Sequence, residues 1–178
     1  MVIFKRGGKL IKAFMSRPLW VQTHVANHLL KLDEKLTELG FEISTVGTNI
    51  TSFASPFEEV VNILKTCHCS IILGLPFLRV SEGKLKDKEI EKGFALPSEW
   101  NQIEAAISLM LEKPTLMMLH RGVSPRGLFD RGAANVFIHE FHTLGSKWVE
   151  DTVPKLIDLK AKVLAQQSHP ADARSSRG

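Results

Sequence analysis

The sequence lacks a long apolar run and a cleavable leader. No stretch of the 178 residues is long and apolar enough to cross a bilayer, and no charged-then-apolar segment precedes a small-residue cleavage site. Cysteine is also scarce: Cys67 and Cys69 are the only two, and a single residue separates them, which is too close for an ordinary structural disulfide. We therefore expect a reduced protein located in the cytoplasm.

An excess of charge of one sign is missing as well. The 23 basic and 19 acidic residues give a net charge of +4, and the basic residues are spread along the chain. This mild excess predicts a solvated surface with one anion-facing pocket. It does not predict a nucleic-acid partner or a membrane partner.

Two nucleotide-binding motifs are absent. The segment after the first predicted strand, "FMSRPLWV", contains no glycine and so lacks the dinucleotide fingerprint. Residues 122–127, "GVSPRG", continue into leucine where a phosphate-binding loop would have Lys and Ser or Thr. Hydride transfer and nucleoside triphosphate hydrolysis therefore lose most of their support.

Short apolar runs alternate with segments of helical periodicity. We predict strands at residues 11–16, 41–46, 70–75, 115–119 and 135–138, and helices at residues 20–39, 56–65, 98–113 and 148–165. The alternation predicts an α/β fold, specifically a flavodoxin-like three-layer sandwich with a five-stranded parallel sheet and helices on both faces. We expect a single domain over residues 1–167, a disordered tail over residues 168–178, and a mobile, charge-dense loop over residues 79–96.

Ligands of such sheets bind beyond the carboxyl ends of the strands. The helix that opens with "SEWNQIEAAI", residues 98–107, begins at that edge and places Trp100 and Glu104 one turn apart. Glu104 borders Ile103 and Ile107, so its carboxylate either reaches a pocket, has a partner, or lies on an exposed edge, because burial without a partner is costly. Glu104 is our candidate catalytic residue, and Trp100 offers a flat surface to an aromatic ring.

Three further residues are candidates for substrate binding. Ser16 and Arg17 end the first predicted strand and could contact a ribose and a diphosphate, since the guanidinium fork suits phosphate oxygens. Phe53 could stack on a base. Each has an ordinary structural alternative: a turn for Ser16, a surface charge for Arg17 and a core position for Phe53.

No metal site is predicted. His24 and His28 are one helical turn apart, but Val25 stands where a zinc protease has glutamate, and a third ligand is not evident. The segment "CHC" at residues 67–69 is better explained as the buried lead-in to a strand.

The stretch "SEWNQIEAAISLMLEKPTLMML", followed by "RGVSPRGLF", resembles the αC helix and next strand of Toll/interleukin-1 receptor (TIR) domains in their bacterial enzyme-like forms. The matching residues are Trp100, Glu104, Ala105, Ala106, Lys113 and Pro114. "KAFMSRPL" and "LTELGFEI" are similar to the first strand, first helix and second strand of that group, so the resemblance covers roughly residues 10–145.

Other features depart from the TIR pattern. Arg17 and Pro18 replace the acidic residue usual after the first strand, and residues 47–56 lack the signature of receptor-adaptor TIR domains. In these respects the sequence is more similar to the related nucleoside 2-deoxyribosyltransferase-like group. That group shares the fold and uses a glutamate at an N-glycosidic bond.

The resemblance implies an NAD+ nucleosidase, a glycohydrolase or cyclase that uses Glu104 to cleave the nicotinamide–ribose bond in bacterial antiphage immune signalling. NAD+ is then a substrate and no cofactor is expected. Because nicotinamide leaves as a neutral molecule, one carboxylate suffices for its release. TIR enzymes also imply a homo-oligomer and a partner effector or sensor protein. The alternatives are a nucleoside 2-deoxyribosyltransferase-like N-glycosidase and a non-catalytic TIR scaffolding module.

Overall fold

Five parallel strands form the central sheet of the protein. The computed structural model describes residues 10–46, 55–90, 93–134, 136–142, 145 and 147–168. The strands of the sheet are β1 (Ile11–Ser16), β2 (Phe41–Ser44), β3 (Cys69–Gly74), β4 (Thr115–His120) and β5 (Ile138–Phe141). They lie in the order β2-β1-β3-β4-β5, which confirms the predicted flavodoxin-like fold.

Four helices cover the two faces of this sheet. They are α1 (Thr23–Glu38), α2 (Pro56–Thr66), α3 (Glu99–Met110) and α4 (Trp148–Ser168). α1 and α4 pack on one face, where Leu32 and Leu156 are fully buried. α2 and α3 pack on the other face, around Phe14 and Ile72. The apolar side chains of β1, β3, β4 and β5 therefore point to both faces, as expected for a sheet covered on both sides, whereas those of β2 pack on the α1 side alone.

Three helix boundaries differ from the prediction by three residues, and one of them is the end of α3, which lies at Met110 rather than at residue 113. α1 begins at Thr23 rather than at residue 20, and the residues before it form a loop in which Trp20 is exposed. α4 extends to Ser168 and holds Pro154 in its interior. Ser168, the first residue of the predicted tail, ends that helix, and the rest of the tail lies outside the described residues.

The prediction for the last strand was wrong about its position in the sequence. β5 occupies Ile138–Phe141 rather than residues 135–138, and it pairs Phe141 with His120 of β4. β5 is an edge strand, so polar side chains can face solvent within it. Glu140 does so as the partner of two arginines, Arg121 and Arg131.

The charge-dense segment before α3, predicted as a mobile loop, contains two short antiparallel strand pairs among its described residues, and its mobility stays a prediction. Leu78–Arg79 pairs with Ala95–Leu96, and Lys84–Leu85 pairs with Lys88–Glu89, each pair antiparallel. Lys86 and Asp87 connect the second pair with φ angles of 51° and 62°. Positive φ at both central residues is the type I′ turn that two-residue hairpins favour. Local turn geometry therefore organises a segment whose composition predicts only solvation.

No helix within the described ranges has the length and apolar character needed to pass through a bilayer.

The packing of α1 can be tested with two leucines of the same helix. Leu36 is fully buried against the sheet, whereas Leu30 is 59% exposed. Leu36→Ala should lower the free energy of unfolding by about 2–5 kcal/mol, because it removes buried methyl groups and leaves a cavity. Leu30→Ala is the matched control and should change it by less than about 0.5 kcal/mol. Urea unfolding followed by circular dichroism measures both, and equal losses in the two variants would contradict this orientation of α1.

Candidate active site

A cavity of about 330 Å³ opens at the carboxyl end of the sheet, beside β1. Its described lining comes from the ends of β1 and β2, from the segment after β3, and from the first residues of α2 and α3: Met15, Arg17, Pro18, Leu19, Trp20, Thr45, Val46, Pro56, Phe77, Ser98, Trp100 and Glu104. Another cavity, with a larger volume of about 740 Å³, lies near the amino ends of β4 and β5. Ligands of open parallel sheets bind at the carboxyl ends, so the smaller cavity is the candidate active site.

Glu104 is the carboxylate of this cavity. α3 starts with Ser98 as its N-cap, whose hydroxyl accepts a hydrogen bond from the Asn101 backbone N–H at 3.3 Å. Glu104 follows in the second turn, on the side of α3 that faces the sheet, and is only 7% exposed. Burial disfavours its ionised form and raises its pKa from 4.5 to about 7. The exposed-edge alternative for Glu104 is therefore excluded.

A chain of hydrogen bonds connects the start of α3 to the end of β1. The Ser98 hydroxyl donates to Asn101 Oδ1 at 3.0 Å, and Asn101 Nδ2 donates to Ser16 Oγ at 2.6 Å. The Ser16 hydroxyl in turn hydrogen-bonds to the Glu104 carboxylate, which favours the ionised form and partly offsets the effect of burial on its pKa. Ser16 and Asn101 are each 1% exposed. Ser16 thus interacts with both Asn101 and Glu104.

Asn101 is a site residue that the sequence analysis missed. It lies three residues before Glu104, on the same side of α3, and both are buried. Helical spacing from Glu104 could have identified it, because residues three apart share a face. Its partner Ser16 is 85 residues away in the chain, and no local pattern predicts that contact.

Aromatic side chains surround the mouth of the cavity. Trp100 lines it and is 42% exposed. Trp20 and Phe77 also line it and are both exposed. Trp20 lies within the range predicted as a helix and was therefore not among the candidate site residues. Flat, exposed rings at the mouth of a cavity are suited to stacking against a planar ligand.

Arg17 has a carboxylate partner within the protein, and its predicted contact with a diphosphate stays a prediction. The guanidinium of Arg17 borders the cavity, but both of its terminal nitrogens pair with the carboxylate of Asp33 on α1, at 2.8 and 2.9 Å. This bidentate pair occupies the fork that was assigned to a diphosphate. Phe53 lies outside the described residues.

The histidine and cysteine motifs form no metal cluster within the described ranges of the chain. His24 is exposed on the first turn of α1, and His28 is half-buried. Cys67 and Cys69 are buried free thiols, and burial raises the pKa of Cys69 to about 12, so this thiol stays protonated at neutral pH. Cys69 is part of the hydrophobic core on the α1 face of the sheet, and Cys67 is part of the core on the opposite face.

Known proteins share the fold of this chain. No family model and no curated protein matches the sequence. Among solved structures, the chain is similar to the Clostridium botulinum CMP N-glycosidase BcmB, with a TM-score of 0.54 and 14% identity. The match covers 81% of this chain and 98% of that one. The TM-score of 0.54 shows a common fold. Because the identity is only 14%, the activity of this chain has to be argued from its own site.

The raised pKa of Glu104 makes a prediction about stability. The folded protein holds the proton more tightly than the unfolded chain, so the stability associated with neutral Glu104 is present below pH 4.5 and is lost as the pH rises through about 7. Glu104→Gln keeps the shape of the side chain without the charge. At about pH 8 it should raise the free energy of unfolding by about 3 kcal/mol at most, since one pKa unit corresponds to about 1.4 kcal/mol.

The gain should shrink steadily towards pH 4.5, because the folded protein then holds Glu104 in its neutral form and no longer buries a charge. Urea unfolding at a series of pH values measures it. Glu99→Gln on the exposed face of α3 is the control and should show no such trend. A pH-independent difference between wild type and Glu104→Gln would mean that Glu104 titrates normally.

Proposed function

We propose that this protein is an N-glycosidase that cleaves the bond between the base and the ribose of a nucleotide, with Glu104 as the catalytic carboxylate. The observation that carries the proposal is the placement of Glu104. It is a buried carboxylate that lines a cavity at the carboxyl end of the sheet, it is hydrogen-bonded by Ser16, and its pKa is raised to about 7. A perturbed carboxylate in a cleft is typical of a catalytic group.

Glu104 can serve the reaction in its ionised form. As the bond between C1′ and the base nitrogen breaks, its electron pair leaves with the base, and positive charge develops on C1′ and the ring oxygen of the ribose. An anionic Glu104 stabilises this charge, by proximity or by bonding to C1′. Water then takes the base's place at C1′ and gives up a proton to the released base or to solvent. In this proposal the aromatic rings of Trp100 and Trp20, which line the cavity, stack on the base.

The similarity to a CMP N-glycosidase supports the reaction class and favours a nucleotide of that kind as the substrate. The cavity volume of about 330 Å³ is at the small end for ligand pockets, which suits a nucleoside-sized group. This agrees better with the nucleoside 2-deoxyribosyltransferase-like alternative than with the first interpretation as an NAD+ nucleosidase.

NAD+ remains the second candidate, and one observation favours it. Glu104 is the only carboxylate among the described residues that line the cavity. A neutral glycoside needs a proton for its leaving base, whereas nicotinamide leaves NAD+ without one. The TIR assignment, the antiphage role, the homo-oligomer and the partner sensor stay predictions that follow from the resemblance alone.

Glu104→Gln tests the role of the carboxylate. The variant should lose at least about 100-fold in kcat with either substrate, since it cannot supply the negative charge. Glu99→Gln, one turn earlier and exposed, should keep the wild-type rate. Chromatography of CMP and NAD+ incubated separately with concentrated protein measures release of cytosine and nicotinamide. Release of neither base by the wild-type protein would contradict the proposal and favour the scaffolding module.

The pH dependence of kcat/KM tests the protonation state. If Glu104 acts as an anion, kcat/KM should fall tenfold per unit as the pH drops below about 7. Ser16→Ala removes the hydrogen bond that favours the anion, so the pKa of Glu104 should rise and the profile should move to higher pH. A rate that falls as the pH rises through 7 would instead assign Glu104 the role of an acid.

A further inference from the structure

A second cavity, of about 600 Å³, adjoins the candidate active site. The two share Pro18, Trp20 and Phe77 as a common wall. The second cavity lies on the α1 side of the sheet, over the ends of β3 and β4. Its other described lining residues are Val21, Gln22, His24, Val25, Leu75, Pro76, Arg79 and His120.

The charged and titratable side chains that line this second cavity are basic. Arg79 extends from the short strand after β3, His120 ends β4, and His24 lies on the first turn of α1. The described lining contains no Asp or Glu. The N-terminus of α1 adds the positive potential of the helix dipole. No acidic residue in the first turn and no side-chain cap reduces it. Three basic side chains around one cavity give it the character of an anion site.

His120 is oriented as a hydrogen-bond donor. The backbone N–H of Gly122 donates to its Nδ1 at 2.9 Å, so the proton of the neutral ring lies on Nε2. The ring also packs edge-on against Phe141, with 5.5 Å between the centroids, which fixes its plane. Burial, Arg79 and His142 all lower the pKa of His120. The positive charges of Arg79 and His142 thus act on His120, and a bound anion would reduce their repulsion of the protonated ring.

Arg79 makes no ion pair within the described part of the chain. Among the described residues, Arg17 pairs with Asp33, and Arg121 and Arg131 pair with Glu140, whereas no such carboxylate lies within ion-pair distance of Arg79. A guanidinium of this kind can bind two phosphate oxygens at once.

We propose that this second cavity is the phosphate subsite of the enzyme, in which Arg79 and the Nε2–H of His120 bind a phosphate or diphosphate group and His24 adds positive charge. Because Pro18, Trp20 and Phe77 line both cavities, the nucleotide then has its base–ribose bond at Glu104 and its phosphate past the exposed rings of Trp20 and Phe77. The identity of the ligand as a nucleotide rests on the proposed function. The anion site itself rests on the basic lining and on the orientation of His120.

Binding of inorganic pyrophosphate tests the anion site without any catalysis. NMR titration of the His120 ring, assigned by comparison with His120→Gln, should show its pKa rising when pyrophosphate is present, since a bound anion favours the imidazolium. Sodium chloride at matched ionic strength is the control for screening. In Arg79→Gln the effect of pyrophosphate should shrink, whereas in Arg131→Gln, which removes an exposed arginine elsewhere, it should persist. Identical His120 titrations with pyrophosphate and with chloride would overturn the proposal.

Kinetics with three substrates then test its use by the enzyme. Arg79→Gln should lower kcat/KM about 10- to 100-fold for a substrate whose phosphate occupies the site, as expected for losing a charge-assisted hydrogen bond. Cytidine, which has no phosphate, should be unaffected. A loss confined to CMP assigns the site to a monophosphate, and a loss confined to NAD+ assigns it to a diphosphate. Equal losses with cytidine would contradict a phosphate role.

The two proposals can fail separately. If Glu104→Gln retains full activity while pyrophosphate still raises the pKa of His120, the anion site stands and the proposed catalytic role falls. If base release depends on Glu104 but pyrophosphate has no effect on His120, the reverse holds.

Discussion

The hydrogen bond between Asn101 and Ser16 joins α3 to β1, and the geometry of the candidate active site depends on it. It fixes the start of α3 against the carboxyl end of the sheet, although the two residues are 85 positions apart. The Ser16 hydroxyl, held by Asn101, then contacts Glu104. Both Ser16 and Asn101 are almost completely buried, so breaking this contact would leave polar groups without partners. The carboxylate therefore depends for its orientation on a network that begins at the helix cap.

Burial of Glu104 places function and stability in opposition. A carboxylate loses its hydration in the cavity, and a single hydroxyl replaces only part of it. An apolar or amide side chain would suit the folded state better at neutral pH. Natural proteins tolerate such local conflicts mainly at functional sites. The physical case for a catalytic role is the presence of this unfavourable group in a cavity at the edge where ligands bind.

Local patterns were sufficient to predict the order of strands and helices and the position of Glu104 on α3, whereas the catalytic role of Glu104 stays a prediction. Continuous apolar runs identify β1, β3 and β4, and the N-cap at Ser98 positions α3. Local patterns do not predict contacts between residues that are far apart in the chain. The pairing of Arg17 with Asp33 requires knowing which face of α1 meets the end of β1, and the exposed position of Trp20 depends on where α1 begins. β5 was misplaced because edge strands admit polar residues such as Glu140, which obscure the apolar signal.

The ion pair between Arg17 and Asp33 has a mechanical consequence. It anchors the connection between β1 and α1, which carries Pro18 and Trp20, to the body of α1. The opposite side of the cleft, with Trp100, belongs to α3. The two tryptophans at the entrance are thus held from different faces of the sheet, Trp20 by the loop that is tied to α1 and Trp100 by α3. The width of the entrance therefore depends on how α1 and α3 pack on the two faces of the sheet.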